Sequence, residues 1–280
     1  MNRRTFIKAV TGTIISSTSM GISLPALSAA GSLPQPNMHD GDIKDYLVKM
    51  RFFDLLHSDD VFVEGNDQTL LNSVVFRLMR IQLVIGHGNF HLAGFDEIIN
   101  VAKTYSAIGQ FTAEELAFLE KIFYRDASQY GFMGEKPCRN ITDTIDRSKV
   151  VKIKNTGHFL YGNESLETFT KIKDDLGNDV ILTSGLRGIA KQFLLFLDKA
   201  RKNDSNLSLA SRSLAPPGYS FHSVGDFDVG QADLGGENFS ELFTSTEVYR
   251  KLLDHGYANL RYQKDNLVGV RFEPWHIKLV

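Results

Sequence analysis

The sequence predicts an α+β fold, in which a helical N-terminal region precedes a mainly antiparallel sheet flanked by helices. Apolar residues recur at three- and four-residue steps from about residue 42 to residue 129, which is the period of an α-helix. Beyond Gly131, short β-branched runs alternate with helical stretches at irregular spacing. This alternation favours antiparallel pairing over a doubly wound parallel sheet. We therefore predict a helical region over residues 42–135 and a second domain over residues 136–280.

The composition is that of an ordinary globular protein. Of the 280 residues, 42% are hydrophobic and 23% are charged, and the formal net charge is -2. Such a charge provides no field that would attract a polyanion, so we expect no nucleic-acid partner. The single cysteine, Cys138, excludes an intramolecular disulfide.

The N-terminus predicts a signal peptide over residues 1–30. A basic start is followed by a weakly apolar run without acidic residues, and small residues lead up to Ala30. The basic start contains Arg3-Arg4 and resembles a twin-arginine export motif, with an ordinary Sec signal as the alternative. We expect a periplasmic or otherwise exported protein. No later stretch has 18 uninterrupted apolar residues, so no membrane span is predicted after cleavage.

The helical region follows a predicted linker over residues 31–41. Two apolar stripes mark its first helices, namely Ile43, Tyr46, Leu47 and Met50, and then Leu70, Leu71, Val74, Val75, Leu78 and Met79. Thr112 followed by Glu115 is a capping box that predicts the start of another helix.

The second domain alternates predicted strands and helices. The strand-like runs cover residues 150–153, 180–183, 219–229, 258–262 and 268–272. The helical stretches cover residues 165–176, 189–202 and 245–255, and two of them end at a glycine.

Two C-terminal segments contain residues suited to a metal. Catalytic zinc is held by three protein ligands, and His222, His276 and one aspartate would satisfy it. Glu273 is the candidate catalytic base. Residues three apart on a regular strand face opposite sides, so a base at Glu273 and a ligand at His276 require a turn or bulge, for which Pro274 is suited.

These segments resemble the zinc D-alanyl-D-alanine carboxypeptidase family, which includes the vancomycin-resistance carboxypeptidases and shares its metal site with hedgehog-type and lysostaphin-type domains. The family has three ordered motifs. They correspond here to Ser184, Gly185, Arg187 and Gln192, then to Ser220, His222 and Gly225, and finally to Glu273, Trp275 and His276. The resemblance covers roughly residues 145–280.

The aspartate departs from the family pattern. The family aspartate lies seven residues after the histidine, where this chain has Val229, whereas its aspartates stand at Asp226 and Asp228. Aligning Asp228-Val229-Gly230 with the family's ending requires a one-residue deletion in the turn. We therefore favour Asp228 as the ligand over Asp226. The aspartate that does not bind the metal would be a partner of a ligand or a solvated carboxylate.

The resemblance also implies roles for the other motif residues. Glu273 would be the general base, and Arg187 would stabilise the developing oxyanion or bind a substrate carboxylate. Ser184, Gln192 and Ser220 are assigned to substrate binding, although a helix-capping serine and a solvated glutamine would also explain the first two.

The sequence thus predicts a zinc-dependent peptidase that acts on peptidoglycan stem peptides, as a D-alanyl-D-alanine carboxypeptidase. Two alternatives stay open, an L-alanyl-D-glutamate endopeptidase and a non-catalytic, zinc-stabilised cell-wall-binding module. Other histidines are not assigned to the site. His87 and His91 lie four apart, but the glycines around them argue against a regular helix, and His158 is interpreted as structural.

Overall fold

A computed structural model describes residues 40–279. The predicted signal peptide lies outside these residues, and so does the predicted linker except for its last two residues. Within the described part of the chain, no helix is long and apolar enough to cross a membrane.

The N-terminal part is helical, as its periodicity predicts. Its helices are α1 (Asp40–Arg51), α2 (Gln68–Ile85), α3 (His87–Phe90), α4 (Phe95–Thr104) and α5 (Ala113–Tyr124). The predicted capping box opens α5. The Thr112 hydroxyl accepts a hydrogen bond from the Glu115 amide at 3.2 Å, and the Glu115 carboxylate accepts one from the Thr112 amide at 2.9 Å.

The C-terminal part combines helices with two small antiparallel sheets. Its helices are α6 (Glu164–Leu176), α7 (Ile189–Arg201), α8 (Leu207–Ser213) and α9 (Glu247–Asp254). The strands are β1 (Val150–Lys152), β2 (Phe159–Tyr161), β3 (Val180–Ser184), β4 (Phe227–Gln231) and β5 (His276–Ile277). β1 pairs with β2, and β4 lies between β3 and β5 in the other sheet. The α+β fold class is thereby confirmed.

Two hydrophobic clusters stabilise this arrangement. The larger one contains buried residues of α2, α4 and α5 together with residues of α7 and α8, among them Leu78, Ile98, Phe123, Phe193 and Leu207. The helical region and the helices after β3 are therefore joined by one core. The described residues also fall within one compact unit. The boundary near residue 136 stays a proposal about how the chain is organised.

The second cluster lies around the three-stranded sheet. α6 and α9 pack against it, with buried residues that include Phe169, Ile172, Phe227, Leu252 and Trp275. Because β4 is buried in the middle of this sheet, side chains at its start are held rigidly. This is where the candidate metal ligands lie.

Three predicted strands are wrong in whole or in part. The run over residues 219–229 becomes strand only from Phe227, after a short 3-10 turn over Phe221–Ser223. Residues 258–262 contribute an isolated bridge between Leu260 and Ile277, and residues 268–272 form no strand. All three runs carry apolar residues, but they lie largely in loops between the strands and helices.

Candidate metal centre

The three candidate ligands come together at one end of the three-stranded sheet. His222 lies in the 3-10 turn before β4, Asp228 lies on β4, and His276 is its paired residue on β5. One donor atom from each residue lies within 4.8 Å of the others. All three side chains are almost completely buried, with 2% exposure each. Among the described residues, this is the group of histidine and carboxylate donors that could hold a metal ion.

The donor atoms that face one another are the Nε2 of His222, the Oδ1 of Asp228 and the Nδ1 of His276. Each histidine nitrogen lies 3.3 Å from this carboxylate oxygen. The Nε2 of His222 and the Oδ1 of Asp228 are buried and lack a hydrogen-bond partner in the described structure. Buried polar atoms are rarely left unsatisfied, and a metal ion would satisfy both. The residues therefore fit a metal ion.

Hydrogen bonds on the far side of each histidine fix the orientation of its ring. The Nδ1 of His222 lies 2.9 Å from the carbonyl oxygen of Gly185, and the Nε2 of His276 lies 2.9 Å from the Oδ2 of Asp226. Such partners set which nitrogen of a metal-bound histidine faces the ion. They leave the Nε2 of His222 and the Nδ1 of His276 turned toward Asp228.

The two candidate aspartates lie on opposite sides of His276. Asp228 faces the two donor nitrogens, whereas Asp226 contacts the outer nitrogen of His276. Asp226 is completely buried, and it accepts further hydrogen bonds from the Arg261 guanidinium and the Leu279 amide. This geometry favours Asp228 as a ligand and Asp226 as the residue that orients a ligand.

The charges of the cluster suit a cation. Burial, together with the charge of Arg187, lowers the pKa of His222 to about 4, so this imidazole is neutral at pH 7. Burial opposes ionisation of Asp228, but His222 and Arg187 outweigh it and hold the pKa of this carboxyl well below its usual range. Burial alone would lower the pKa of His276, yet hydrogen bonds to Asp226, Asp228 and Glu273 raise it well above its usual value. A cation that binds here must displace the proton of His276.

Glu273 lies beside the donors. The His276 amide donates to the Glu273 carbonyl at 3.2 Å, so the chain turns through Pro274 as the proposed base and ligand require. One carboxylate oxygen of Glu273 lies 3.6 Å from the Nδ1 of His276. Trp275 points into the core with 2% exposure and packs edge-on against Phe239. The Glu273 carboxylate therefore lies next to the donor residues, close to any molecule that binds to them.

Arg187 lies against the same cluster. Its Nη2 donates to the Oδ2 of Asp228 at 2.7 Å, and its Nε donates to the Ser184 hydroxyl at 2.9 Å. Ser184 is the residue of β3 that pairs with Asp228. A guanidinium next to the buried carboxylate supplies a positive charge at the edge of the donor set.

Gln192 and Ser220 hold the loops of the site. Gln192 has 3% exposure, and its amide bonds to the carbonyl of Arg187 at 2.9 Å and to the amide of Gly218 at 2.8 Å. Ser220 is also buried, and its carbonyl accepts from the Ser223 hydroxyl. The alternative of a solvated glutamine is therefore wrong, and a substrate contact for either residue stays a prediction.

Three basic residues on the Arg187 side were not predicted as part of the site: His91 and His158 were not assigned to it, and Lys191 was not considered. His91, His158 and Lys191 each act on the charge of this region, and His91 and His158 are in ring contact. No motif connects them, since they come from three separate segments. The sequence signal that was available consists of two histidines and a lysine four residues after Arg187.

Comparison with known proteins supports the resemblance. Residues 162–280 match the family model described as VanY, D-alanyl-D-alanine carboxypeptidase, so the resemblance is confirmed over that part of the chain. No curated protein matches the sequence significantly.

Several solved structures are similar to this chain at low identity. A variant of the vancomycin-resistance D,D-pentapeptidase VanY in complex with Zn(II) is 20% identical, with a TM-score of 0.39 over 52% of this chain and 86% of that chain. VanYB in complex with D-alanine-D-alanine is 21% identical, with a TM-score of 0.39 over 52% of this chain and 83% of that chain. The LD-carboxypeptidase LdcB is 19% identical, with a TM-score of 0.37 over 53% and 70%.

Proposed function

We propose that this protein is a zinc-dependent peptidase that removes terminal D-alanine from peptidoglycan stem peptides. The observation that carries the proposal is the buried donor set of His222, Asp228 and His276 beside Glu273, in which the facing atoms of His222 and Asp228 lack hydrogen-bond partners. The family match over residues 162–280 supports a peptidase acting on D-alanyl-D-alanine.

Zinc is the metal that this donor set suits. Two histidine nitrogens and one carboxylate oxygen form a frequent set of protein ligands at catalytic zinc sites. When bound, zinc polarises a carbonyl and lowers the pKa of a coordinated water to about 7. The residues that would hold it are His222, Asp228 and His276.

The chain's own residues supply the proton transfer and the charge. The Glu273 carboxylate would take a proton from the attacking water and give it to the leaving amine, as a general base and then a general acid. Its position 3.6 Å from the His276 ring supports this role. The Arg187 guanidinium would stabilise negative charge on the scissile carbonyl oxygen or hold a substrate carboxylate. Asp226 and Gly185 would keep the two imidazole rings aligned.

Export belongs to the same proposal. Its support is the N-terminal sequence with Arg3 and Arg4, since residues 1–39 lie outside the described part of the chain. A peptidase of stem peptides requires access to the cell wall, which agrees with an exported protein.

The test is digestion of defined muropeptides by the zinc-loaded protein without residues 1–30. We expect mass spectrometry to show loss of one terminal D-alanine from pentapeptide substrates. The matched control is Glu273→Gln, which should bind zinc and leave the substrates intact.

Other products would point to the other interpretations. Cleavage between L-alanine and D-glutamate would replace the carboxypeptidase with an endopeptidase. Stoichiometric zinc without cleavage of any muropeptide would overturn the proposed peptidase and favour a binding module.

A further inference from the structure

Three basic residues from distant parts of the sequence lie around the loop that carries Arg187. His91 follows α3, His158 precedes β2, and Lys191 lies in the first turn of α7. Main-chain hydrogen bonds bring their segments together. The Gly188 amide donates to the His91 carbonyl at 2.7 Å, and the Leu186 amide donates to the Phe159 carbonyl at 2.8 Å. The loop that carries Arg187 is therefore held between the segments of the two histidines.

The two imidazole rings are close, and each has an unpartnered atom. Their centroids lie 4.9 Å apart, and their planes are inclined at 59°. The Nδ1 atoms of His91 and His158 are both buried and lack a hydrogen-bond partner in the described structure. His91 is only 8% exposed. A buried donor or acceptor without a partner costs free energy, so a group that binds both rings would stabilise the arrangement.

Arg187 is paired with Asp228, whereas Lys191 has no anionic partner among the described residues. The Nζ of Lys191 is hydrogen-bonded to the neutral Gln82 side chain at 3.2 Å, and no carboxylate of the described residues forms an ion pair with it. Burial and the charge of Arg187 lower the pKa of Lys191 to about 8. Burial, and then Lys191, His158, Arg187 and His222, lower the pKa of His91 to about 3. An anion placed here would supply the Lys191 ammonium with a partner of opposite charge.

A second metal site does not explain the cluster. Metal ligands come in groups that include a third donor, and the described residues contain only the group formed by His222, Asp228 and His276. Simple packing does not explain it either, because a packed histidine normally has a partner for each buried nitrogen.

We propose that His91, His158 and Lys191 form an anion-binding subsite next to the metal centre, and that it receives a carboxylate of the peptide substrate. The inference rests on the proposed function, since it assigns the ligand of the same site. Neutral imidazoles can donate one N–H each, and an ammonium adds a charge-assisted hydrogen bond. His91 and His158 lie outside residues 162–280, so the segments before the matched one would contribute to substrate selection.

The test measures binding to the zinc-loaded Glu273→Gln protein, which should not consume its ligand. Acylated D-alanyl-D-alanine peptides are compared as pairs in which one carboxylate is replaced by a carboxamide. One pair differs at the C-terminal carboxylate, and another differs at a side-chain carboxylate on the residue that precedes the D-alanyl-D-alanine unit. The pair that discriminates identifies which carboxylate binds.

The variant is Lys191→Met, and the matched control is Lys199→Met on the same helix. We expect Lys191→Met to weaken binding of the carboxylate ligand about tenfold, as loss of one charge-assisted hydrogen bond would do, and to leave the carboxamide ligand within twofold. The control should change neither. Equal losses for both members of each pair, or no loss in any pair, would overturn the subsite. Thermal unfolding of each variant excludes a folding defect.

A further readout separates this proposal from the peptidase. If no muropeptide is cleaved and no peptide binds, the proposed function fails, and acetate becomes the probe. Ring resonances of His91 and His158 in NMR spectra should then shift with acetate in the parent protein, and less in Lys191→Met. Unchanged resonances would contradict the subsite as well.

Discussion

At the residue scale, two aspartates contact opposite nitrogens of the His276 imidazole. Asp228 lies 3.3 Å from the inner nitrogen of His276, and Asp226 lies 2.9 Å from the outer one. Asp226 directly precedes β4, and Asp228 is the second residue of that strand. Their difference arises because Asp226 is already bonded to Arg261 and the Leu279 amide, while the Oδ1 of Asp228 has no partner.

This difference predicts the effect of each aspartate on zinc affinity. Asp226→Asn should weaken zinc binding about 10- to 100-fold, the usual effect of losing a partner of a ligand. Asp228→Asn should weaken it more, because a ligand itself is lost. Competition with a chelating dye measures both affinities. The reverse order would assign the ligand to Asp226.

A substitution at Glu273 should affect hydrolysis but not zinc binding. Glu273→Ala should retain stoichiometric zinc, because the donors are other residues, and should lose hydrolysis by about 100-fold or more, in the range of general base catalysis. Muropeptide cleavage and bound zinc are measured on the same sample. Unchanged hydrolysis would remove Glu273 from its proposed role.

At the element scale, the loop between β3 and α7 determines the geometry of the site. It carries Arg187 and supplies the Gly185 carbonyl that orients His222. A Cβ at Gly185 would collide with the carbonyl oxygen of Phe159, and one at Gly188 would lie 2.7 Å from the carbonyl oxygen of Ala93. The two glycines are thus required by close approach of main chain on both sides.

Gly185→Ala should therefore destabilise the protein by about 1–3 kcal/mol, as overpacking of a core does, and should reduce zinc affinity because the Gly185 carbonyl moves. The control is Gly236→Ala, where nothing lies within 4 Å of the added methyl group. Chemical denaturation gives the free energy of unfolding. An equal effect of both substitutions would contradict the close approach.

A buried ion pair connects α2 to the start of α5. Arg77 donates to both oxygens of Glu115, at 3.1 and 3.0 Å, and also to the carbonyls of Ile108 and Gly109. Burial raises the pKa of Glu115, but hydrogen bonds to Arg77, Ser73 and the Thr112 amide outweigh it and lower the pKa.

Because the folded-state pKa of Glu115 is lowered, its contribution to stability is present above the unfolded pKa of about 4.3 and is lost as the pH falls through the folded value. Glu115→Ala should cost about 3–5 kcal/mol at pH 7, since Arg77 would stay buried without its partner. Denaturation at pH 7 and at pH 3 measures both effects. The difference between the parent and the variant should shrink at the lower pH.

At the scale of the whole molecule, one hydrophobic cluster unites α2, α4 and α5 with α7 and α8. α7 begins directly after the loop that carries Arg187. Because the helical region packs against α7, it supports the element that positions this arginine. The helical region would also contribute His91 to the proposed anion-binding subsite, because His91 directly follows α3.

Metal binding should then stabilise the entire unit. Free zinc at about 100 times its Kd should raise the free energy of unfolding by about 2.7 kcal/mol. Calorimetry with and without a chelator measures the change. Asp228→Asn should abolish the zinc-dependent increase, whereas an increase that persists in this variant would indicate that zinc binds elsewhere.

Local signals were sufficient for much of the fold. The apolar stripe of α2, the capping box of α5 and the glycine after α6 each report on a few neighbouring residues, and the structure has helices there. The strand predictions after residue 218 were wrong in whole or in part, because short apolar runs also suit loops that enclose a buried site. α8 was missed because Leu207–Ser213 contains three serines, which favour turns and caps.

The sequence by itself determined the fold class, the resemblance over the C-terminal part and the residue types of the metal centre, since these depend on period, order and spacing. Only the tertiary structure decided which atoms of His222, His276 and Asp228 face one another, and that Asp226 lies behind His276. It alone brought His91 and His158 beside Lys191. The physical reason is that ligand geometry and uncompensated charge arise from contacts between segments far apart in the chain, which no local pattern specifies.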